Sequence, residues 1–274
     1  MSTITIGVLA LQGAFSEHLQ LLQQAATFLS TRTSYANTKW TFLEIRTPSE
    51  LDQCDALVLP GGESTTMSLV ASRSGLLEPL RDFVKVARKP VWGTCAGLIL
   101  LAESANKTKL TGQELIGGLD VRVNRNHFGR QTESFEADLD LPFLASAGGA
   151  EFETSKTPFR SVFIRAPVVE KLLEPKPGIQ EEQASLSDTV VAPSKAPGEM
   201  AVGGAGRAVE VMARLPGRAK ALKDREVTAR DLGEEGDIVA VRQGNVFGTS
   251  FHPELTGDNR IHVWWLEQVA EACK

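Results

Sequence analysis

Residues 91–97 read VWGTCAG: two bulky apolar residues, then a turn of small residues with a cysteine between two glycines. Lys89 and Pro90 before it and LILLAESA after it make this turn the junction between a buried strand and an apolar helix that runs through LILLAESA. The same alternation occurs upstream. ITIGVLAL (4–11) is a continuous apolar, β-branched run, as expected of a strand buried on both faces of a parallel sheet. Phe15, Leu19, Leu22, Ala26 and Leu29 then recur at helical spacing. WTFLEIRT (40–47) reads as a second strand, and DALVLPGGEST (55–65) as a third that runs into a glycine turn. A helix follows, with Leu69, Leu76, Leu80 and Val84 among its apolar positions. Strand and helix in alternation, joined by short turns, predict an α/β fold: a doubly wound, mostly parallel sheet flanked by helices. Ligands of such sheets sit beyond the carboxyl ends of the strands, where PGGES and GTCAG both fall.

The second half is less regular. DVRVNRNHFGRQTESFEADL (120–139) and RSVFIRAP (160–167) look like strands with arginines at or near their ends, and AVEVMARL (208–215), DIVAVRQ and NVFGTSFHPE return to strand patterns. The last segment, TGDNRIHVWWLEQVAEACK, reads as an amphipathic helix capped by Thr256 or Asp258, with Ile261, Trp265 and Val269 on one face. We read 1–274 as a single domain with insertions at about 31–39, 145–158, 174–208 and 216–236. The segment 174–208, rich in Pro, Gly, Ser and Glu, is expected to be a flexible surface excursion.

Bulk properties exclude several classes. The 274 residues carry 29 basic and 34 acidic side chains, a net charge of −5, with no basic block, which argues against nucleic acid as a partner. No stretch approaches the roughly 18 apolar residues of a membrane span. The N-terminus reads as a first strand and not as a signal peptide. Three cysteines (Cys54, Cys95, Cys273) cannot all pair and fit no zinc spacing, so free thiols in a reduced cytoplasmic protein are expected, with no metal and no cofactor.

Cys95 stands where a strand ends and a helix begins. Unpaired amides and the positive end of the helix dipole there lower a thiol's pKa, and Gly93 and Gly97 relieve crowding at the elbow. Taken alone, such a turn is a weak signal, and a packing cysteine is the more common case. A nucleophile also needs a base. Of the four histidines, His18 and His262 fall on helices, where a surface or half-buried role is expected, and His127 lies in a loop. His252 ends a buried strand, and Pro253 biases it toward extended backbone. In an extended segment Glu254 shares its face, suited to hold the ring in one tautomer. Cys95, His252 and Glu254 then fill the roles of nucleophile, base and orienter. The amides of the Gly61–Gly62 turn and of Ala96 are the candidate oxyanion donors.

PGGEST, GTCAG and TSFHPE, in that order, resemble the class I glutamine amidotransferase pattern. VLALQGAFSEH, RNHFGRQTESFEADL, VFIRAP and VRQGNVFGTSFHPELTGD narrow the resemblance to one family, the glutaminase subunit of pyridoxal 5′-phosphate synthase (the PdxT/SNO family). The resemblance implies hydrolysis of L-glutamine by Cys95, His252 and Glu254, and ammonia handed to a synthase subunit. It further implies that Gly62, Glu63 and Ser64 contact the substrate and that Arg125, Ile164 and Arg165 complete its pocket. The insertions exceed the compact pattern of bacterial members. Rival readings are another amidotransferase, an α/β-hydrolase, and a binding module with a structural cysteine.

Overall fold

The computed structural model describes residues 2–107, 113–125, 134–146, 157–175, 178–186, 188–196, 207–216 and 236–274. The first half runs β1 (Ser2–Leu9), α1 (Phe15–Ser30), β2 (Thr38–Ile45), α2 (Pro48–Leu51), β3 (Ala56–Leu59), α3 (Ser64–Arg73), α4 (Leu77–Arg81), β4 (Val91–Thr94), α5 (Ala96–Leu101) and β5 (Ala102–Asn106). The second half adds β6 (Leu119–Asn124), β7 (Ser134–Leu139), β8 (Phe159–Ile164), β9 (Val168–Leu172), α6 (Ile179–Ala184), β10 (Thr189–Val191), β11 (Glu210–Leu215), β12 (Asp237–Gln243), β13 (Val246–Thr249) and α7 (Arg260–Ala272). The main sheet has the order β10-β5-β6-β9-β12-β13-β4-β3-β1-β2, with β11 paired to β12. From β13 to β2 every pairing is parallel. β7 and β8 form a separate antiparallel ribbon.

Burial on both faces explains the unbroken apolar runs. Along β3, Ala56 and Val58 join a core shared with α1 and α7, while Leu57 and Leu59 join a second core under α3, α4 and α5. Register then aligns the strand ends. Gly93 of β4 lies opposite Leu59 of β3, and Thr94 opposite Thr249 of β13. The segments that follow, 60–64, 95–97 and 250–254, leave the sheet side by side at its carboxyl edge.

Four expectations are corrected. The helix expected after PGGES is interrupted: α3 ends at Arg73, Gly75 takes a positive φ of +71°, and α4 runs into a π-helical turn at Asp82–Val86. Leu69, within α3, faces outward and is 48% exposed. LILLAESA is not one helix, because Ala102 turns extended and Ala102–Asn106 pairs with β6. Tertiary pairing there overrides helix-favouring residues. Within 174–208, the described residues are built into the fold: β10 pairs with β5, and Gln183 of α6 shares a hydrogen bond with Ser104. The cap position of α7 is Asn259 and not Thr256 or Asp258, although the Asp258 carboxylate, one residue earlier, accepts from the Arg260 amide at 3.0 Å. His127, the HFGRQ motif, most of 145–158 and nearly all of 216–236 lie outside the described residues.

Candidate active site

Cys95 occupies a strained elbow. Its φ of +47° and ψ of −97° are rare for a residue with a side chain. A buried hydrogen bond from its amide to the Thr249 carbonyl, 2.8 Å, holds it there. Glycine is required around it, since a Cβ on Gly97 would strike the Leu59 carbonyl and one on Gly93 would strike Gly97. The elbow turns α5 directly across the ends of β3 and β4. The sulfur lies 3.9 Å from the Ile164 carbonyl oxygen, at the end of β8.

His252 reaches the same point from β13. Its amide donates to the Val162 carbonyl at 2.8 Å; its ring is hydrogen-bonded to Glu254 on one side, and the Cys95 thiol lies close enough on the other to act on its charge. The Glu254 bond uses Nδ1 and measures 2.8 Å to Oε1, which leaves Nε2 for the sulfur. The backbone there is not extended as expected, because Pro253 opens a 3-10 turn over Pro253–Leu255. The turn still brings the carboxylate under the ring. Burial disfavours the charged imidazolium, yet the Cys95 and Glu254 partners outweigh it and raise the His252 pKa. Burial likewise opposes charge on Glu254, but His18 and His252 hold its carboxyl far below the usual range. Sulfur, imidazole and carboxylate thus form one line of contacts.

The glycine turn after β3 closes the site. The Gly61 carbonyl accepts from the Ala14 amide at 3.1 Å. Because the peptide is planar and trans, the Gly62 N–H points to the opposite side. Glu63 caps α3: its carboxylate accepts from the Thr65 and Thr66 amides at 3.1 and 2.7 Å and from the Thr66 hydroxyl. Although burial works against it, these bonds hold its carboxyl below the usual range. Its side chain is therefore engaged in the helix cap, and its charge reaches Arg125 only at long range. Arg125 Nη2 donates to the Ser64 and Thr65 hydroxyls, both at 3.1 Å. Its Nε is buried with no partner among the described residues, and burial lowers its pKa. Ile164 and Arg165 end β8 beside the thiol; both are exposed, and Arg165 is held at φ +47°.

Sequence reading missed four residues around the site. Gln113 Oε1 accepts from the Ser64 and Thr65 hydroxyls at 3.1 and 3.3 Å, joining the cluster around Arg125. Gln12 Oε1 accepts from the Glu63 amide at 2.7 Å. Its signal was available: a polar residue just past the carboxyl end of β1. His18 and His262, expected at a surface or half-buried, are fully buried at 0% exposure behind Glu254. Among the described residues no cluster of His, Cys, Asp and Glu is suited to a metal ion, and no helix is long and apolar enough to cross a membrane.

The model of the SNO glutamine amidotransferase family matches residues 8–202 and 205–271. The chain belongs to this family. Among its relatives is an Arabidopsis thaliana protein named "Probable pyridoxal 5'-phosphate synthase subunit PDX2", 40% identical over 98% of this chain and 87% of that protein. Proteins named "Pyridoxal 5'-phosphate synthase subunit PdxT" from Herpetosiphon aurantiacus and Streptomyces avermitilis are 36% and 39% identical, covering 96% and 98% of this chain and 99% and 96% of theirs. A crystal structure described as a glutamine amidotransferase superposes with a TM-score of 0.62 at 33% identity, covering 97% of this chain and 98% of that one. Membership of the family removes the α/β-hydrolase reading, in which the acid precedes the histidine in the chain.

Proposed function

We propose that this chain is the glutaminase subunit of a pyridoxal 5′-phosphate synthase, hydrolysing L-glutamine and passing the ammonia to a synthase subunit. The observation that carries the chemistry is the buried line Cys95–His252–Glu254 at the carboxyl edge of the sheet. The relatives named as subunits of that synthase, matched over nearly their whole length, support the destination of the ammonia.

The Cys95 thiolate attacks the carboxamide carbon, and the oxyanion rests on amides of the Gly61–Gly62 turn and Ala96. The C–N bond breaks as His252 protonates the departing nitrogen, leaving a glutamyl thioester. His252 then takes a proton from water, whose oxygen displaces the sulfur to give glutamate. Arg125 is suited to the substrate carboxylate, with Gly62, Glu63, Ser64, Ile164 and Arg165 around the remainder. Ammonia escaping to neutral water becomes ammonium and is lost as a nucleophile, so direct transfer to a bound synthase follows. The three free thiols fit the cytoplasm.

The test is intact-mass analysis after incubation with 6-diazo-5-oxo-L-norleucine, a glutamine analogue that alkylates the attacking thiol. One adduct is expected on the wild-type chain and none on Cys95→Ala. Adducts on neither, in the presence of the synthase, refute the reading.

A further inference from the structure

The line of contacts does not stop at Glu254. Its Oε1 accepts from His252, and its Oε2 lies 3.3 Å from His18 Nε2 on α1. The same nitrogen is 3.2 Å from the Thr94 hydroxyl, and His18 Nδ1 is 3.1 Å from His262 Nε2 on α7. Trp92 packs edge-on against both rings, with centroids 5.3 and 4.9 Å away. Both histidines are sealed from solvent. The titratable groups facing His18 are thus Glu254 and His262, with His252 on the far side of the carboxylate.

The partners fix the protons. His262 Nδ1 is buried without a partner among the described residues. A hydrogen there would be a buried orphan donor, more costly than an orphan lone pair, so His262 carries its proton on Nε2 and donates to His18 Nδ1. His18 in turn carries its proton on Nε2, facing Glu254 Oε2 and shared with Thr94.

Building on the glutaminase reading above, we propose that His18 is a positioning residue of that reaction. Its Nε2 stands 3.3 Å from the second oxygen of Glu254, a close contact short of an aligned hydrogen bond, and blocks rotation of the carboxylate, so that Oε1 stays on His252 Nδ1 and His252 Nε2 stays aimed at Cys95. His262 serves by fixing the tautomer of His18. A carboxylate bonded at Oε1 and abutted at Oε2 turns less freely, and a fixed orienting group is what keeps the base aimed.

Two measurements test this. In the 15N-histidine NMR spectrum of the wild-type chain at neutral pH, His18 is expected to be protonated on Nε2. A His18 ring with its proton on Nδ1 alone overturns the proposal, whatever the activity. In kinetics with the synthase present, His18→Leu is expected to lower kcat by about 10- to 100-fold with KM for glutamine within about threefold. The acid limb of kcat/KM moves to higher pH, because Glu254 loses the N–H that faces its charged form. His18→Gln, whose amide can donate near the same place, restores most of the rate. An unchanged acid limb in His18→Leu, or equal loss in Leu and Gln variants, reduces His18 to a core residue and overturns the proposal. Should both variants fail to fold, the proton assignment decides. Absence of glutaminase activity from the wild-type complex refutes the functional reading itself, an outcome separate from failure of the clamp.

Discussion

The α-carbon of Gly61 lies against the imidazole of His252, with no room for a methyl group between them. The glycine turn and the His252 ring are therefore one packed unit, although 191 positions separate them in the chain. Gly61→Ala places the new Cβ inside the ring, and the ring must yield because the turn is tied down by Ala14. A misplacement of about 1 Å in an aligned group costs about 100-fold in rate, so kcat for glutamine should fall by that order. Overpacking should cost about 1–3 kcal/mol of stability, read from urea unfolding. An Ala variant with normal kcat would mean that His252 has slack at this site.

The three thiols should differ sharply in reactivity. Burial pushes the Cys54 thiol up to about 12, and its sulfur donates to the Glu50 carbonyl at 3.4 Å. Cys95 instead has an imidazole partner. At pH 6 an ordinary thiol, with its pKa of about 8.5, is under about 1% thiolate. Chloroacetamide at pH 6 should thus modify Cys95 first and Cys54 last, located by peptide mass mapping. His252→Ala should slow Cys95 by about 100-fold at that pH.

Stability should fall on acidification in two stages. Burial keeps His262 neutral with its pKa well below the ordinary 6.5. Below about pH 6.5 the unfolded chain takes up a proton that the folded chain refuses, so stability declines as pH falls. Glu254 follows lower down. Its folded pKa is depressed from 4.5, so its contribution is present above that value and is lost as pH falls below it. Urea midpoints from pH 8 to 2 should show both stages. His262→Phe should flatten the upper stage and Glu254→Gln the lower one.

A buried ion pair away from the site anchors the second half of the chain. Lys85 Nζ lies 2.7 Å from Glu103 Oε1 and donates to the Pro193 carbonyl at 2.8 Å. Glu103 also accepts from the Gly118 amide at 2.7 Å and from Gln180 at 3.0 Å. Lys85→Met leaves that carboxylate buried without its cation and should cost about 3–5 kcal/mol. Adding Glu103→Leu should recover much of the loss. A double variant no better than Lys85→Met would show that the Gly118 and Gln180 bonds to Glu103 carry the stability.

The parallel half of the fold was legible because its signals are local. A strand buried on both faces must be apolar throughout, and the runs 4–11 and 91–94 say so directly. GTCAG and PGG declare elbows because only small residues pack so close to a neighbouring backbone. What followed Leu101 was not legible: AESA has helical preferences, and only the pairing of Ala102–Asn106 with β6 makes it a strand. The Pro- and Ser-rich stretch after 174 likewise concealed a strand whose hydrogen bonds are all made to β5, a partner far away in the chain.

The site divides in the same way. Sequence by itself determined which residues are chemically able to act, since a thiol on a glycine elbow and an HPE turn carry their character wherever they are placed. Only the tertiary structure decided which histidines matter behind the carboxylate, and that Glu63 caps a helix while Gln113 joins the pocket. The physical reason is that a side chain's proton, charge and direction are set by its partners. His18, Thr94, Glu254 and His262 become partners only when α1, β4, the turn after β13 and α7 pack together.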